Sequence, residues 1–302
     1  MAKKRINKTI IDLGRCIKGG PKNPFSFHNP NLLPKKNVYS RPLFLLLFNI
    51  SLTFTMDAAP TRTLLLIGSG PGIGVAVASL FAQKHFDHIA LFARNSSQLQ
   101  ADKETILSSA ADVGRQVHVR TWKVDISDLE QFKAALTEVQ SFGKLECIYF
   151  NAARVGGSNF FDFPVEDIEL DLRVSVTALY VAVQWATPIL VNTMQTNPGV
   201  GFKPTILVTN SLLPVNPIPE YFSLSVAKAA QANLVKSLQK SLAKGGTRVG
   251  MVIVGGIVLP DSKFLNPTTI AEQAWDLFNQ DGADWKAQVS ILEDRVDWCP
   301  RL

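Results

Sequence analysis

The chain has 302 residues, 46% of them hydrophobic, enough for one large α/β domain or two small ones. The formal net charge is +6, but residues 1–55 hold ten Lys/Arg against one acid, Asp12, which leaves 21 basic and 24 acidic residues beyond them. A body near −3 excludes a basic nucleic-acid-binding domain. Three cysteines (Cys16, Cys147, Cys299) without metal or redox spacing exclude a disulfide framework and point to a reduced, cytoplasmic setting.

Residues 1–55 are basic, lack a sustained period and end in an apolar patch, Leu43 to Phe54. That patch is too short to span a bilayer as a helix, which needs about 20 residues, and too far from the start for a signal peptide. Three readings stay open: a sequence upstream of a true start at Met56, a mitochondrial-targeting or membrane-associating segment, and a disordered tail. Residues 56–302 read as one nucleotide-binding domain.

The body opens with Leu64-Leu65-Leu66-Ile67, a buried strand, which breaks into Gly68-Ser69-Gly70-Pro71-Gly72 and continues as a helix from Ile73-Gly74. Strand, glycine turn and helix N-terminus in this order make a phosphate site, because unpaired N–H groups point outward and missing Cβ atoms let a pyrophosphate approach. His88–Ala93 is a second strand, followed by Arg94 and Asn95 and then a helix from Ser96 to Ala111 with Ser96 or Ser97 as its cap. Val117–Trp122 alternates as a third strand and leads to Asp125 and Ile126. Helical spacing fits Asp128–Phe142, with Gly143 as its C-cap.

Leu145–Phe150 is a fourth strand ending at Asn151-Ala152, and a long helix is expected from about Pro164 to Met194. Thr205–Thr209 is a fifth strand that closes at Asn210-Ser211. Leu224–Leu242 is a helix, Arg248–Val254 a sixth strand, Ile270–Phe278 a helix and Gln288–Ile291 a last strand. Strands alternating with helices predict a doubly wound, Rossmann-type parallel sheet in a single domain.

These landmarks together resemble the short-chain dehydrogenase/reductase superfamily over nearly all of residues 60–292. Gly68, Gly72 and Gly74 match its glycine motif, with Ile67 where Thr is usual. Asp125 matches its acid after the third strand and Asn151-Ala152-Ala153 its N-A-G-type turn. Ser211 falls at the catalytic Ser, and Lys228-Ala229-Ala230 matches the S-K-A-A helix. The resemblance implies an NAD(P) cofactor held by Gly68, Ser69, Gly72, Ile73, Gly74, Arg94, Asn95, Asp125, Ile126, Asn151, Ala152, Lys228, Gly256 and Val258. It implies a small carbonyl or alcohol substrate and allows a homo-oligomer, with no nucleic-acid or membrane partner expected. Arg94 and Asn95, where an acid would bind a ribose hydroxyl, favour NADP over NAD.

The catalytic set departs from the pattern. The family's Tyr, four residues before the Lys, is here Leu224, and the helical Asn of its proton relay is Ser175. Ser211, Lys228 and Tyr221, seven residues before Lys228, are the candidate catalytic groups. Tyr221 would need an irregular lead-in to reach the site. Arg154 is a candidate for an anionic substrate or an exposed loop residue, and His85, His88 and His118 read as structural or exposed. Two functions compete: an NADP(H)-dependent oxidoreductase, and an NAD(P)-binding pseudoenzyme acting as a sensor or interaction protein.

Overall fold

A computed structural model describes residues 61–281 and 285–293; the expectations for residues 1–55, and Cys16 and Cys299, lie outside these. Seven strands form one parallel sheet in the order β3-β2-β1-β4-β5-β6-β7. They are β1 (Arg62–Ile67), β2 (His88–Ala93), β3 (His118–Lys123), β4 (Lys144–Phe150), β5 (Thr205–Ser211), β6 (Arg248–Val254) and β7 (Gln288–Ile291). The helices are α1 (Ile73–Lys84), α2 (Ser96–Ala111), α3 (Leu129–Val139), α4 (Val165–Leu172), α5 (Ala178–Thr196), α6 (Phe222–Leu242) and α7 (Pro267–Asn279). This is the doubly wound architecture that the alternation predicts.

The apolar run of β1 is explained by its place in the middle of the sheet. Leu64 and Leu66 pack with α1, α2 and α7 on one face, while Leu65 and Ile67 pack with α3, α5 and α6 on the other. All four are fully buried, each contributing about 1.5–3 kcal/mol, and a strand covered on both faces has no polar alternation to show. The chain winds outward from β1 in both directions, so the crevice beyond the carboxyl ends of β1 and β4 is the topological switch point, where such sheets bind ligands.

Three boundaries differ from the sequence reading. Asn95, not Ser96 or Ser97, caps α2: its side-chain oxygen accepts from the Gln98 N–H at 3.1 Å. Helix α3 stops at Val139, and Gly143 (φ +122°) is not its cap but the turn into β4, where a Cβ would lie 2.6 Å from the Thr63 hydroxyl. The expected long helix is two helices joined by a π turn, Arg173–Thr177. The stretch Val165–Thr196 is long and apolar enough to cross a membrane by composition, but half of its apolar window is buried within the protein, as a core helix would be.

At the end of the sheet opposite the crevice, Glu146 is fully buried and accepts from Arg62 at 2.8 Å and 2.9 Å and from the Lys203 N–H at 2.6 Å, with His85 at 3.0 Å. Burial pushes its carboxyl up, but the His85, Lys203 and Arg62 contacts outweigh that and hold it below the usual range. His88 and His118 stack at 5.1 Å at the start of β2 and β3. His85, His88 and His118 all lie away from the crevice, His118 exposed and the other two partly buried, in line with the reading of them as structural or exposed. A chain beginning at Met56 contains every core residue named here. It is expected to unfold in urea in one cooperative transition with the same midpoint as the full chain.

Candidate active site

Gly68 ends β1 with φ +95°, where a Cβ would lie 2.5 Å from the Ala152 N, so the glycine is required both by conformation and by the close approach of the β4 turn. Gly72 (φ +143°) stands at the N-cap of α1 and has no side chain to cap it, which leaves the first N–H groups of the helix, those of Ile73 and Gly74, open. At Gly74 a Cβ would sit 2.9 Å from the Gly68 carbonyl oxygen. The turn therefore has the open amides and bare backbone that a pyrophosphate needs.

This turn forms one wall of an 870 Å³ cleft at the switch point. Of the residues singled out from sequence, the cleft gathers Gly68, Ser69, Ile73, Gly74, Arg94, Asn95, Asp125, Ile126, Asn151, Ala152, Ser211, Tyr221, Lys228, Gly256 and Val258. Gly72 does not face it; its role is the backbone turn. The volume lies within the ordinary range for small-molecule sites, about 300–1,000 Å³.

Toward β2 and β3 the cleft is polar. Arg94 makes no ion pair among the described residues, whereas the acids around it are spoken for. Buried Asp102 accepts from Ser69 Oγ at 2.6 Å and from Gln98 Nε2 at 2.7 Å. Asp125 accepts from the N–H and hydroxyl of Ser127 at 2.9 Å and 2.7 Å. Burial alone would raise the Asp125 carboxyl, but the Ser127 bonds, with Arg94 beside them, lower it. Asn95 uses its side-chain oxygen in the helix cap, which leaves its amide nitrogen as a donor at the cleft.

Under the glycine turn runs a directional chain. Asn151 Nδ2 donates to the Gly68 carbonyl at 3.0 Å, and Thr209 Oγ1 donates to Asn151 Oδ1 at 2.9 Å. The Thr209 hydrogen is thereby used, so the Tyr149 hydroxyl, 3.1 Å away, acts as donor to Thr209. Tyr149 is fully buried and held strongly toward the protonated phenol by desolvation; it anchors β4 to β5 and does not reach the cleft.

Toward β5 and α6 stand the candidate catalytic groups. Ser211 Oγ accepts from the Leu213 N–H at 3.2 Å, which leaves its hydroxyl hydrogen for a ligand. Lys228 is buried, and its Nζ donates to the Thr209 carbonyl at 2.8 Å and to Gln231 Oε1 at 3.1 Å. A third N–H remains for the cleft it lines. Among the described residues no carboxylate pairs with it, and desolvation lowers its pKa to about 8. Gln231 in turn donates to the Ser175 carbonyl in the π turn at 2.8 Å, and so ties α6 to that turn. The Ser175 hydroxyl is buried without a partner among the described residues.

Tyr221 has the irregular lead-in it needs. It is the non-helical N-cap residue of α6 (φ −129°, ψ 35°), bridged to Ser158, 38% exposed and at the cleft wall. Leu224, four residues before Lys228, faces the same cleft at 8% exposure. Arg154, in the loop after β4, also lines the cleft but is partly buried and ion-paired rather than free. It donates to Asp167 at 2.8 Å and to Asp171 at 3.0 Å, and Asp171 accepts from Ser223 Oγ at 2.5 Å. This chain fastens the β4 loop and α4 to the first turn of α6.

Sequence reasoning missed Thr209, Asn210 and Gln231. The first two are polar residues directly before Ser211 at the end of an apolar strand. Gln231 lies three residues after Lys228, hence on the same helical face, and a glutamine in an Ala/Leu/Val-rich helix is the signal that could have found it. Among the described residues no cluster of three metal-ligating side chains occurs.

Residues 62–268 match the family model described as short chain dehydrogenase. The chain belongs to the short-chain dehydrogenase family. As a member it is an oxidoreductase with an NAD(P)-binding Rossmann fold. Among its relatives is the glucose 1-dehydrogenase of Gluconobacter oxydans (strain 621H), 29% identical over 205 residues, covering 68% of this chain and 72% of that one. The NADH-dependent reductase A1-R′, solved as its complex with NAD, superposes with a TM-score of 0.67 at 17% identity, covering 80% of this chain and 98% of the other. A metagenomic short-chain oxidoreductase solved with NADP gives 0.65 at 18%, covering 78% and 99%.

Proposed function

We propose that this short-chain dehydrogenase transfers hydride between NADP(H) and the carbonyl or alcohol carbon of a small substrate. The observation that carries the reading is the continuous cleft from the glycine turn and Arg94 to Ser211, Lys228 and Tyr221. Its residues suit the dinucleotide: open amides at Ile73 and Gly74 for the pyrophosphate, Arg94 for an added phosphate, and a Lys228 N–H left over. Bound there, the nicotinamide supplies or accepts the hydride. Ser211 donates its hydroxyl hydrogen to the substrate oxygen and polarises it, while Tyr221 or water delivers the proton. Retention of these groups in one cleft, in a family of oxidoreductases, favours turnover over the binding-only alternative. Oxidation of NADPH by the full chain with a panel of aldehydes and ketones tests the reading, and absence of turnover with every carbonyl defeats it.

The choice of NADP rests on Arg94. The two solved relatives hold NAD and NADP respectively, so the fold itself does not decide. Asp102 and Asp125 are both satisfied by other partners, which leaves Arg94 as the charged group with bonding capacity for a 2′-phosphate. Charge-assisted hydrogen bonds contribute about 1.5–3 kcal/mol. Arg94→Ala is therefore expected to weaken NADPH binding by about 10-fold or more and to leave NADH binding unchanged, as measured by fluorescence titration. Equal affinities of the unaltered protein for the two cofactors would defeat the assignment.

A further inference from the structure

Four of the exposed large apolar side chains among the described residues meet at one place. Val155, Ile218, Tyr221 and Ile257, at 76%, 42%, 38% and 79% exposure, all stand on the loops after β4, β5 and β6, and all four line the cleft that holds Ser211. Leu213 and Leu224 continue the wall inward. Phe160 and Phe161, also exposed, pack on each other, and Phe160 packs on Phe222, the residue after Tyr221, at 4.5 Å between ring centroids. Leaving so much apolar surface in water is costly unless a ligand covers it.

The two charged side chains that line this end, Arg154 and Lys228, are largely engaged by other groups. Arg154 is held by Asp167 and Asp171, and two of the three Lys228 N–H groups point inward to Thr209 and Gln231. Among the described residues, the neutral polar side chains at the substrate end besides Ser211 are Asn216 and the Tyr221 hydroxyl, with Thr209 and Asn210 already bonded to Asn151 and α6 respectively. A sugar would bury several hydroxyls against these few partners, each unpaired one at a cost of about 1–3 kcal/mol.

We infer that the substrate is a bulky, largely apolar ketone, aldehyde or secondary alcohol that carries one oxygen to Ser211 and buries its hydrocarbon part against the Val155, Ile218 and Ile257 loops. The inference rests on the proposed hydride-transfer reading and adds its substrate class. It parts from the sugar named for the Gluconobacter relative.

The test follows NADPH oxidation by the full chain with unbranched methyl ketones of increasing length, with glucose and NADP⁺ as the opposing arm. Each added methylene is expected to raise kcat/KM about 3- to 4-fold until the wall is covered. Ile218→Asp should lower kcat/KM for the longest ketone on the order of 10-fold with NADPH affinity retained. A flat series, or oxidation of glucose in preference to long secondary alcohols, overturns the inference. Binding of the same ketones to the NADPH-loaded protein by calorimetry separates the two readings. Length-dependent binding without turnover upholds the substrate class and defeats hydride transfer. NADPH binding without ketone binding defeats the substrate class. If light scattering shows instead that Ile218→Asp splits a dimer, the apolar loops are an interface between copies and the inference fails.

Discussion

Between pH 7 and pH 10.5 the cofactor-free protein is expected to gain about 3 kcal/mol of stability relative to a Lys228→Met variant. The cause is the burial of Lys228 with only neutral acceptors, the Thr209 carbonyl and Gln231 Oε1, which lowers its pKa from 10.5 to about 8. Below pH 8 both the folded and the unfolded chain carry the proton, so the difference is flat. Between 8 and 10.5 the unfolded chain still binds a proton that the folded one has released, and stability therefore rises with pH. Cys147 and Tyr149, whose pKa values burial raises, act with the opposite sign above their ordinary values, but equally in both proteins. Urea titrations of the pair at half-unit pH steps measure the difference. A flat difference across the window would mean that water reaches Lys228, and the idea of a desolvated ammonium at the cleft would fall.

That ammonium also shows where sequence reading stops. Lys228 is legible by its position in a Lys-Ala-Ala helix, and the glycine turn is legible because Gly68 and Gly72 are imposed by local geometry: positive φ and a backbone approach that a Cβ would block. The strands are legible because β1, β2, β4 and β5 are apolar runs buried on both faces. What Lys228 bonds to is not legible, because it depends on two elements distant in the chain, the Thr209 carbonyl of β5 and the π turn that receives Gln231. A π turn has no composition signal; Arg173–Thr177 reads as ordinary helix. The ion pairs of Arg154 are not legible for a similar reason. Its partners Asp167 and Asp171 lie more than ten residues away on α4, and only the fold of the β4 loop brings them to it. The α2 cap was misplaced by one residue because Asn95 and Ser96 are both good caps, and the Gln98 N–H decides between them only once the backbone is set.

Leu224→Tyr is expected to raise carbonyl reduction by about 10-fold or more, the upper limit being the 10²–10⁴ that a fully positioned general acid supplies. Leu224 lies in the first turn of α6, whose position is fixed by the Ser223 to Asp171 to Arg154 chain, and its side chain faces the cleft with Ser211. A phenol there stands one helical turn, about 6 Å, from Lys228. With its charge only partly screened in the interior, the ammonium favours the phenolate and lowers the tyrosine pKa by the opposite-charge effect. The gain is therefore expected below about pH 8, where Lys228 carries its proton, and should shrink above it. Ser211 already offers its hydroxyl hydrogen to the substrate oxygen, so the new acid completes a pair rather than starting one. Initial rates of NADPH oxidation for the unaltered protein, Leu224→Tyr and Tyr221→Phe read out the result. If the unaltered protein is fast, Leu224→Tyr slows it and Tyr221→Phe abolishes the rate, the enzyme draws its proton from Tyr221 and Leu224 is substrate wall. If no form turns over any carbonyl while all bind NADPH, Leu224 belongs to a cleft adapted for binding alone, and the hydride-transfer reading gives way to the sensor.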